Sequence, residues 1–593
     1  MELDDVLVAL GDFGCYQTLV YVCICLAGQV PSAWHMLAIS FLGAAPGHHC
    51  KVPPGQRLED TVPLVPESGG GPTGQTAYAQ CVQYANRSID NATEACLDGW
   101  QYGDTYGETI ATEWDLVCDK DGSVELSQTV FMAGVMVGSL VFGHLSDRFG
   151  RRLVFLLSLW AQVAFGVGVA FTGSLYAFIA LRFFVGVIEQ GVDITSYVMV
   201  TEMFSPARRT QAGMLLAFFW ATGVMSLPGL AYALRNWRHL QLAISLPSLL
   251  TIPLWWFIPE SVRWLMSRGR AAEAEAILRR VAKFNKVELP DRVLTSHEML
   301  VQRRPSTDSV DKSTTADQGQ RPSGYDEPFS TLEGAPAPWQ ADRGVTHPSP
   351  GGTGSPPDGT LGGRGKAVLM AEEAAAASSK DTRVYSLWHL FRTPRIRKIS
   401  LVMLFTWFVN SLVYYGLALN TDNLAGNPYL NFFLSGAVEI PSYVVSIAAV
   451  TWIGRRVPLC VFHVAGGIAC IATAFIPQTT DQGTDLSALI VTTAMLGKFG
   501  IAGSYAIVFL YATELFPTVV RNLGVGTASF ASRVGGILAP IIMYLGKFAG
   551  WLPLVVFGGM SVLAGLSVLL LDETVGTRQP QTIEEVEAKR PHP

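Results

Sequence analysis

The sequence predicts an all-α polytopic membrane protein, with twelve transmembrane helices in two six-helix pseudo-repeats and an extracellular loop domain. Three observations lead there. Charged residues are 15% of the 593-residue chain against 49% hydrophobic, and mean hydropathy is +0.31, too apolar for a soluble chain of this size. Twelve stretches hold about 20 mostly apolar residues each, the length that crosses hydrocarbon. Short motifs also recur in one order: TEMFSPARR (Thr201 to Arg209) is echoed by TELFPTVVR (Thr513 to Arg521), GHLSDRFGRR (Gly143 to Arg152) by TWIGRR (Thr451 to Arg456), and PESVR (Pro259 to Arg263) by DETVG (Asp572 to Gly576). One echo would be weak; three in the same order indicate a duplication.

Residues 1–16 form a short cytoplasmic N-terminus. The first six spans, near 17–42, 126–145, 153–172, 176–200, 211–233 and 239–258, make an N-terminal bundle over 17–258. A cytoplasmic connection covers 259–396. The last six, near 397–419, 429–450, 457–476, 486–510, 519–543 and 549–571, make a C-terminal bundle over 397–571, followed by a cytoplasmic tail at 572–593. The first span has no signal-peptide cleavage pattern and reads as a retained helix.

Basic residues set the orientation, because Lys and Arg of short loops stay on the cytoplasmic side. With both termini inside, Arg148, Arg151, Arg152, Arg208, Arg209, Arg263, Arg455, Arg456 and Arg521 all fall in cytoplasmic loops, and Arg235 and Arg238 are the exceptions. The first outer loop, about 43–125, tests this independently. It holds Cys50, Cys81, Cys96 and Cys118, an even count suited to two disulfides among three pairings in an oxidising compartment. It also holds both glycosylation sequons of the chain, Asn86 and Asn91. Cysteines and sequons agree on an outside face for this loop, and the protein is expected to be a multi-pass, disulfide-bonded glycoprotein of the plasma membrane.

The connection between the bundles contains an insert from about 286 to 381 that is rich in Gly, Pro, Ser and Ala. It has too little apolar surface to offset chain entropy and is expected to be disordered. Just before it, GRAAEAEAILRRVAKFN reads as a short amphipathic helix.

These motifs carry a resemblance. GHLSDRFGRR is similar to the cytoplasmic loop signature of the major facilitator superfamily. The large outer loop ending TEWDLVCD, with IPESVRWL and TELFPTVVRNLGVG, resembles the organic cation, carnitine and organic anion transporter family; WWFIPESVRWL, VEIPSYV, GKFG and ASRVGGIL look closest to its carnitine and zwitterion branch. The resemblance implies a secondary transporter that works by alternating access.

Such a mechanism needs a reversible latch between states separated by a few kcal/mol. Candidates are the charges repeated at cytoplasmic helix ends: Asp147, Arg148, Arg151, Arg152, Glu202, Arg209, Glu260 and Arg263 in the first half, and Arg455, Arg456, Glu514 and Arg521 in the second. Ion pairs among them are expected to link helices when the inner face closes. Gly143 and Gly150 suit close backbone approach, and Thr451 stands where the first copy has Asp147.

Substrate chemistry is expected at ionisable residues inside the spans, since a charge buried there costs roughly 3 kcal/mol or more. These are Glu189 and Asp193 on one face of the fourth span, Glu439 in the eighth, Lys498 in the tenth and Arg533 in the eleventh. Internal pairing of the two fourth-span acids with Lys498 or Arg182 is the structural alternative. By resemblance, cation-selective relatives carry Asp at the position of Arg533, and anion and zwitterion transporters carry Arg. A guanidinium there would take a substrate carboxylate bidentately. Glu439 could then meet a cationic end, with an aromatic cage from Trp407, Phe408, Tyr414, Tyr415, Tyr443 and Tyr505.

Three functions remain open on sequence: a carrier of carnitine-like betaines, an organic anion exchanger using Arg533 and Lys498, and a receptor or scaffold without transport. The intact repeated motifs argue against the last. No nucleophile-base pair, metal-ligand cluster or CxxC stands out, so neither an enzyme, a metal site nor a cofactor is expected. Partners are the lipid bilayer and a small organic zwitterion, cation or anion, with no nucleic acid. Carboxylates near the midplane would also allow coupling to Na+, to exchange or to the membrane potential alone.

Overall fold

A computed structural model describes residues 3–66, 76–86, 90–290, 385–480, 482–577 and 579–588. The expected disordered insert lies outside the described residues from 291 onward.

The main helices are α1 (Cys15–Leu37, continued by Ile39–Leu42), α2 (Ser123–Phe149), α3 (Arg151–Ala170), α4 (Leu175–Glu202), α5 (Pro206–Ala233) and α6 (Trp237–Ser245, continued by turns to Phe257) in the first half. The second half has α7 (Pro394–Leu419), α8 (Pro428–Ala437, continued by Glu439–Trp452), α9 (Arg456–Phe475), α10 (Ser487–Leu515), α11 (Arg521–Leu545) and α12 (Leu552–Val568). Eleven are long and apolar enough to cross a membrane; the twelfth, α12, is a shorter apolar helix of 17 residues. At 1.5 Å per residue it reaches about 26 Å, near the lower limit for a spanning helix.

Prolines explain the interruptions. Pro247 and Pro253 fall where α6 passes into the 3-10 turn Leu246–Thr251 and the short helix Leu254–Phe257. Pro441 has no N–H and its ring opposes the carbonyl four residues back, at Ala437, where the first part of α8 ends. The break leaves Glu439 in the first turn of the second part, where the helix dipole favours a carboxylate.

Packing repeats with the sequence. In the first half α2 packs on α4, α3 on α4 and on α6, and α1 on α5; in the second α8 packs on α10, α9 on α10 and on α12, and α7 on α11. The halves meet along two seams, α2 with α11 and α5 with α8. Large apolar side chains such as Leu140, Leu157, Phe184, Val444, Ile468 and Leu563 point outward, while Gln29, Gln128, Gln162, Gln190, Gln241 and Asn410 are buried. Apolar outside and polar inside is what lipid as solvent selects.

At one end, between α1 and α2, the loop domain adds three two-stranded antiparallel sheets: β1 (His48–Cys50) with β6 (Trp100–Tyr102), β2 (Leu64–Pro66) with β3 (Thr76–Tyr78), and β4 (Val82–Asn86) with β5 (Asp90–Ala95). Of the three pairings the sequence left open, Cys50 joins Cys96 and Cys81 joins Cys118, with Cα separations of 5.1 and 5.7 Å. Asn86 ends β4 and Asn91 lies in β5. This domain also accounts for the two exceptional arginines: Arg238 pairs with Glu113 at 2.5 Å, and Arg235 donates to the Asp104 carbonyl. The N-terminal helix Leu3–Ala9, the amphipathic helix Ala271–Asn285 and the tail helix Ile583–Ala588 lie at the opposite, terminal end.

Helices touch most closely where they have no side chain. A Cβ on Gly134 would lie 2.2 Å from the Phe183 carbonyl oxygen, and one on Gly186 would lie 2.3 Å from that of Phe131. Gly186→Val should therefore force α2 and α4 apart, at a cost of about 1–3 kcal/mol or more, and sharply reduce the monodisperse fraction in size-exclusion chromatography. Gly559→Ala, which has open space around it, should leave that profile unchanged.

Candidate functional site

At the terminal end, each half builds the same charged knot. Arg151 lies 3.3 Å from Glu202 and 2.8 Å from Asp147. Glu260 accepts the backbone N–H groups of Arg151, Arg152 and Ser261 at 2.9–3.1 Å, and the Ser261 hydroxyl donates to Glu202. Six helices later, Arg455 lies 2.9 Å from Glu514. Glu573 accepts from the backbones of Arg455, Arg456, Thr574 and Val575 at 2.9–3.2 Å, and the Thr574 hydroxyl donates to Glu514. In each knot a carboxylate caps the orphan N–H groups at a helix N-terminus.

Glu573 was missed from sequence although it sits in the DETVG echo, and so was Gly454 in TWIGRR. Gly150 and Gly454 both have positive φ, 102° and 122°, and a Cβ there would strike the capping carboxylate of Glu260 or Glu573. Gly143, expected to allow a close approach, has nothing within 4 Å of its Cβ position. With Thr451 in place of an acid, Arg455 lacks the carboxylate one turn back that Arg151 finds in Asp147, and the Thr451 hydroxyl bonds its own helix at Ile447.

The remaining terminal-end residues are placed as follows. Arg152 donates to the Trp255 carbonyl and Arg456 to that of Leu569, another matched pair. Arg263 pairs with Asp4, Arg521 bonds Thr518 and Gln579, and Arg148 lies beside the Phe149 ring. Arg209 leaves two nitrogens unpartnered among the described residues. Among the described residues, the ion pairs at this end each stay within one half. Across the halves the terminal end shows a ring contact, Tyr197 with Phe509 at 5.4 Å. The loop end, by contrast, is tied across them: Lys547 pairs with Asp121 and lies 3.6 Å from Glu125, and Tyr429 stacks on Phe41.

Two charged groups occupy the centre. In the first, Glu439 and Lys498 are 3.1 Å apart and almost fully buried. Glu439 also accepts the Tyr414 hydroxyl at 2.7 Å and the Tyr443 hydroxyl at 2.9 Å, and the Lys498 ammonium lies 3.4 Å from the Tyr414 ring centroid. From the other half, Trp220 Nε1 donates to the Tyr414 hydroxyl at 2.6 Å. In the second group, Asp193 on α4 faces Arg533 on α11 at 4.0 Å, with 31% and 14% of their side chains accessible. Gln29 donates to Asp193 at 3.2 Å. One turn away Glu189 is fully buried and accepts Gln162 Nε2 at 2.5 Å.

The pairings differ from the structural alternative read from sequence. Lys498 pairs with Glu439 and not with the α4 acids, and Arg182 bonds the Gln128 side chain and the His35 carbonyl. Asp193 finds its cation in Arg533. Of the proposed cage, Tyr414 and Tyr443 bond Glu439, Tyr505 lies against Tyr414 and 3.4 Å from the Ser532 hydroxyl, and Tyr415 on α7 reaches Met36 on α1 of the opposite half. Trp407 packs near Phe509, 5.8 Å away, and Phe408 presents its carbonyl to Gly535. Trp220, Gln29 and Gln162 were not foreseen, because a Trp or Gln in an apolar run gives no periodic signal.

The Major Facilitator Superfamily profile matches residues 120–540. The chain is 37% identical to the Organic cation transporter protein of Drosophila melanogaster, over 100% of this chain and 96% of that one. It is 31% identical to the Organic cation/carnitine transporter 2 of Homo sapiens, over 99% and 94%. In fold it is similar to the inward-open xylose transporter XylE of E. coli, with TM-score 0.56 at 14% identity over 96% and 99% of the two chains. The chain belongs to the Major Facilitator Superfamily and, within it, to the group of organic cation and carnitine transporters; it is a membrane transporter and not an enzyme.

The two caps differ in electrostatics. Burial pushes the Glu260 carboxyl above its usual range, outweighing its backbone donors. Burial also acts to raise Glu573, but its four backbone N–H bonds together hold it below the usual range. A depressed carboxyl contributes stability above its unfolded-state pKa and loses it as pH falls through the folded value. Glu573→Gln should thus lower the melting temperature at pH 7, corresponding to roughly 1–3 kcal/mol, and the gap from wild type should narrow on acidification below the ordinary carboxylate range.

Proposed function

We propose that this transporter moves small organic zwitterions, carnitine-like betaines, across the plasma membrane by alternating access, with Arg533 taking the carboxylate and Asp193 the cationic end. The observation that carries this reading is the Asp193–Arg533 pair. It joins opposite halves inside the bilayer, keeps part of each side chain accessible, and at 4.0 Å is longer than a tight charge-assisted hydrogen bond. A zwitterion offers each partner a nearer counter-charge and can replace the pair without leaving either buried and bare. The similarity to a carnitine transporter supports the same class.

The terminal knots act in this reading as braces that keep each half rigid, because their ion pairs survive when the halves rock. The ion pairs that change are those that cross, Lys547 with Asp121 and Glu125 at the loop end and Asp193 with Arg533 at the centre, together with neutral contacts across the halves such as Trp220 with Tyr414. The terminal end faces the cytoplasm and the loop domain faces outward. Glu189, with one carboxylate oxygen unpartnered among the described residues, is the group to which a coupled Na+ would be drawn.

A second reading, an organic anion carrier, is favoured by one observation: Glu439, the acid expected to meet a substrate cation, is already neutralised by Lys498. Substitutions at Arg533 separate the two. Arg533→Ala should abolish uptake of a carnitine-like betaine, a loss on the order of 2–5 kcal/mol in binding. Arg533→Lys should restore it only in part, since the ammonium lacks the two-pronged geometry. At equal surface biotinylation, unchanged betaine uptake in Arg533→Ala overturns the zwitterion reading. Wild-type uptake of a carboxylate lacking the ammonium, at the rate of the betaine, selects the anion reading.

A further inference from the structure

The buried group around Glu439 has the construction of a receptor for an ammonium ion. A carboxylate stands on one side, its two oxygens held by the Tyr414 and Tyr443 hydroxyls. An aromatic face stands on the other, and the Lys498 ammonium fills the space between, 3.1 Å from the carboxylate and 3.4 Å from the ring centroid. A salt bridge alone requires no aromatic wall. The approach of a cation to the face of a Tyr ring is how proteins bind organic ammonium ligands.

We propose that Lys498 is a tethered occupant of a cation subsite, and that its ammonium keeps free organic cations out of the Glu439 carboxylate and the Tyr414 ring. The subsite adjoins the substrate pair: the Tyr414 ring lies 5.8 Å from that of Tyr505, the partly accessible Tyr505 reaches the Ser532 hydroxyl, and Ser532 precedes Arg533. It also touches the opposite half through Trp220. The specificity consequence rests on the zwitterion reading. A substrate must bring a carboxylate for Arg533, because the Glu439 site is filled from within the chain and Asp193 is released to a substrate ammonium only when a carboxylate takes its place on Arg533.

Removing the plug should permit chemical rescue. In Lys498→Ala the Glu439 carboxylate is buried without a counter-charge, which lowers stability, and a small free ammonium can take the vacated place. Purified full-length protein is titrated with methylammonium chloride, with sodium chloride at equal ionic strength as control, and the melting temperature is followed. Lys498→Ala should melt below wild type and recover with a saturable methylammonium dependence. Wild type should not respond, and Lys498→Ala/Glu439→Gln, which removes both charges, should neither need nor show the rescue. If Lys498→Ala does not fold, Lys498→Ser, whose short side chain also leaves the place vacant, takes its place in the same melting titration with methylammonium. Equal responses in wild type and the single variants, or a response that persists in the double variant, overturn the proposal. Neither result depends on Arg533, so failure here leaves the carboxylate assignment standing, and failure of that assignment leaves the rescue intact.

Discussion

A charge inside hydrocarbon needs a partner, and in this molecule the identity of each partner decides what the charge can do. Glu439 is matched within its own half, by Lys498 and two tyrosine hydroxyls. Asp193 is matched across the halves, loosely, by Arg533. A pair within one half holds the half together; in the proposed alternating access, a pair between halves is made and broken. The same distinction separates the terminal knots, confined to single halves, from Lys547 with Asp121 at the loop end.

Duplication gives the transporter two bodies of nearly the same construction. The Glu260 and Glu573 caps, the Glu202 and Glu514 acceptors, and the Gly150 and Gly454 turns repeat in position and in partner. Their differences are equally physical. Asp147 gives Arg151 a second carboxylate that Thr451 cannot give Arg455, while Glu573 collects one more backbone donor than Glu260. The two braces are therefore tuned differently. Substrate residues do not repeat: Asp193 has no acidic counterpart in α10, and Lys498 has no basic counterpart at the matching place in α4.

Much of this was legible in the sequence, because lipid imposes strong patterns. Span length, the ordered echoes and the arginines at helix ends are one-dimensional signals of hydrophobic thickness, duplication and topology. The ionisable residues inside spans were legible for the same reason, since burial makes each one expensive. Their pairings were not. Whether Lys498 meets Glu439 or Glu189 depends on helix rotation and on the break that Pro441 makes in α8, neither of which periodicity encodes. Arg238 looked like a topological exception until the loop domain supplied Glu113. Glu573 lay inside a recognised echo, but a carboxylate that binds backbone N–H groups has no basic residue in sequence to announce it.

The central claim is that Asp193 and Arg533 divide a zwitterion between them, so the sign of one effect tests it most directly. Affinities of a carnitine-like betaine and of a carboxylate of the same length without the ammonium are measured on purified wild type and Asp193→Asn. Removing the acid takes away both a partner for the ammonium and a competitor for Arg533. The account predicts that betaine affinity falls while affinity for the plain carboxylate rises. A change in the same direction for both ligands, or none for either, would contradict it.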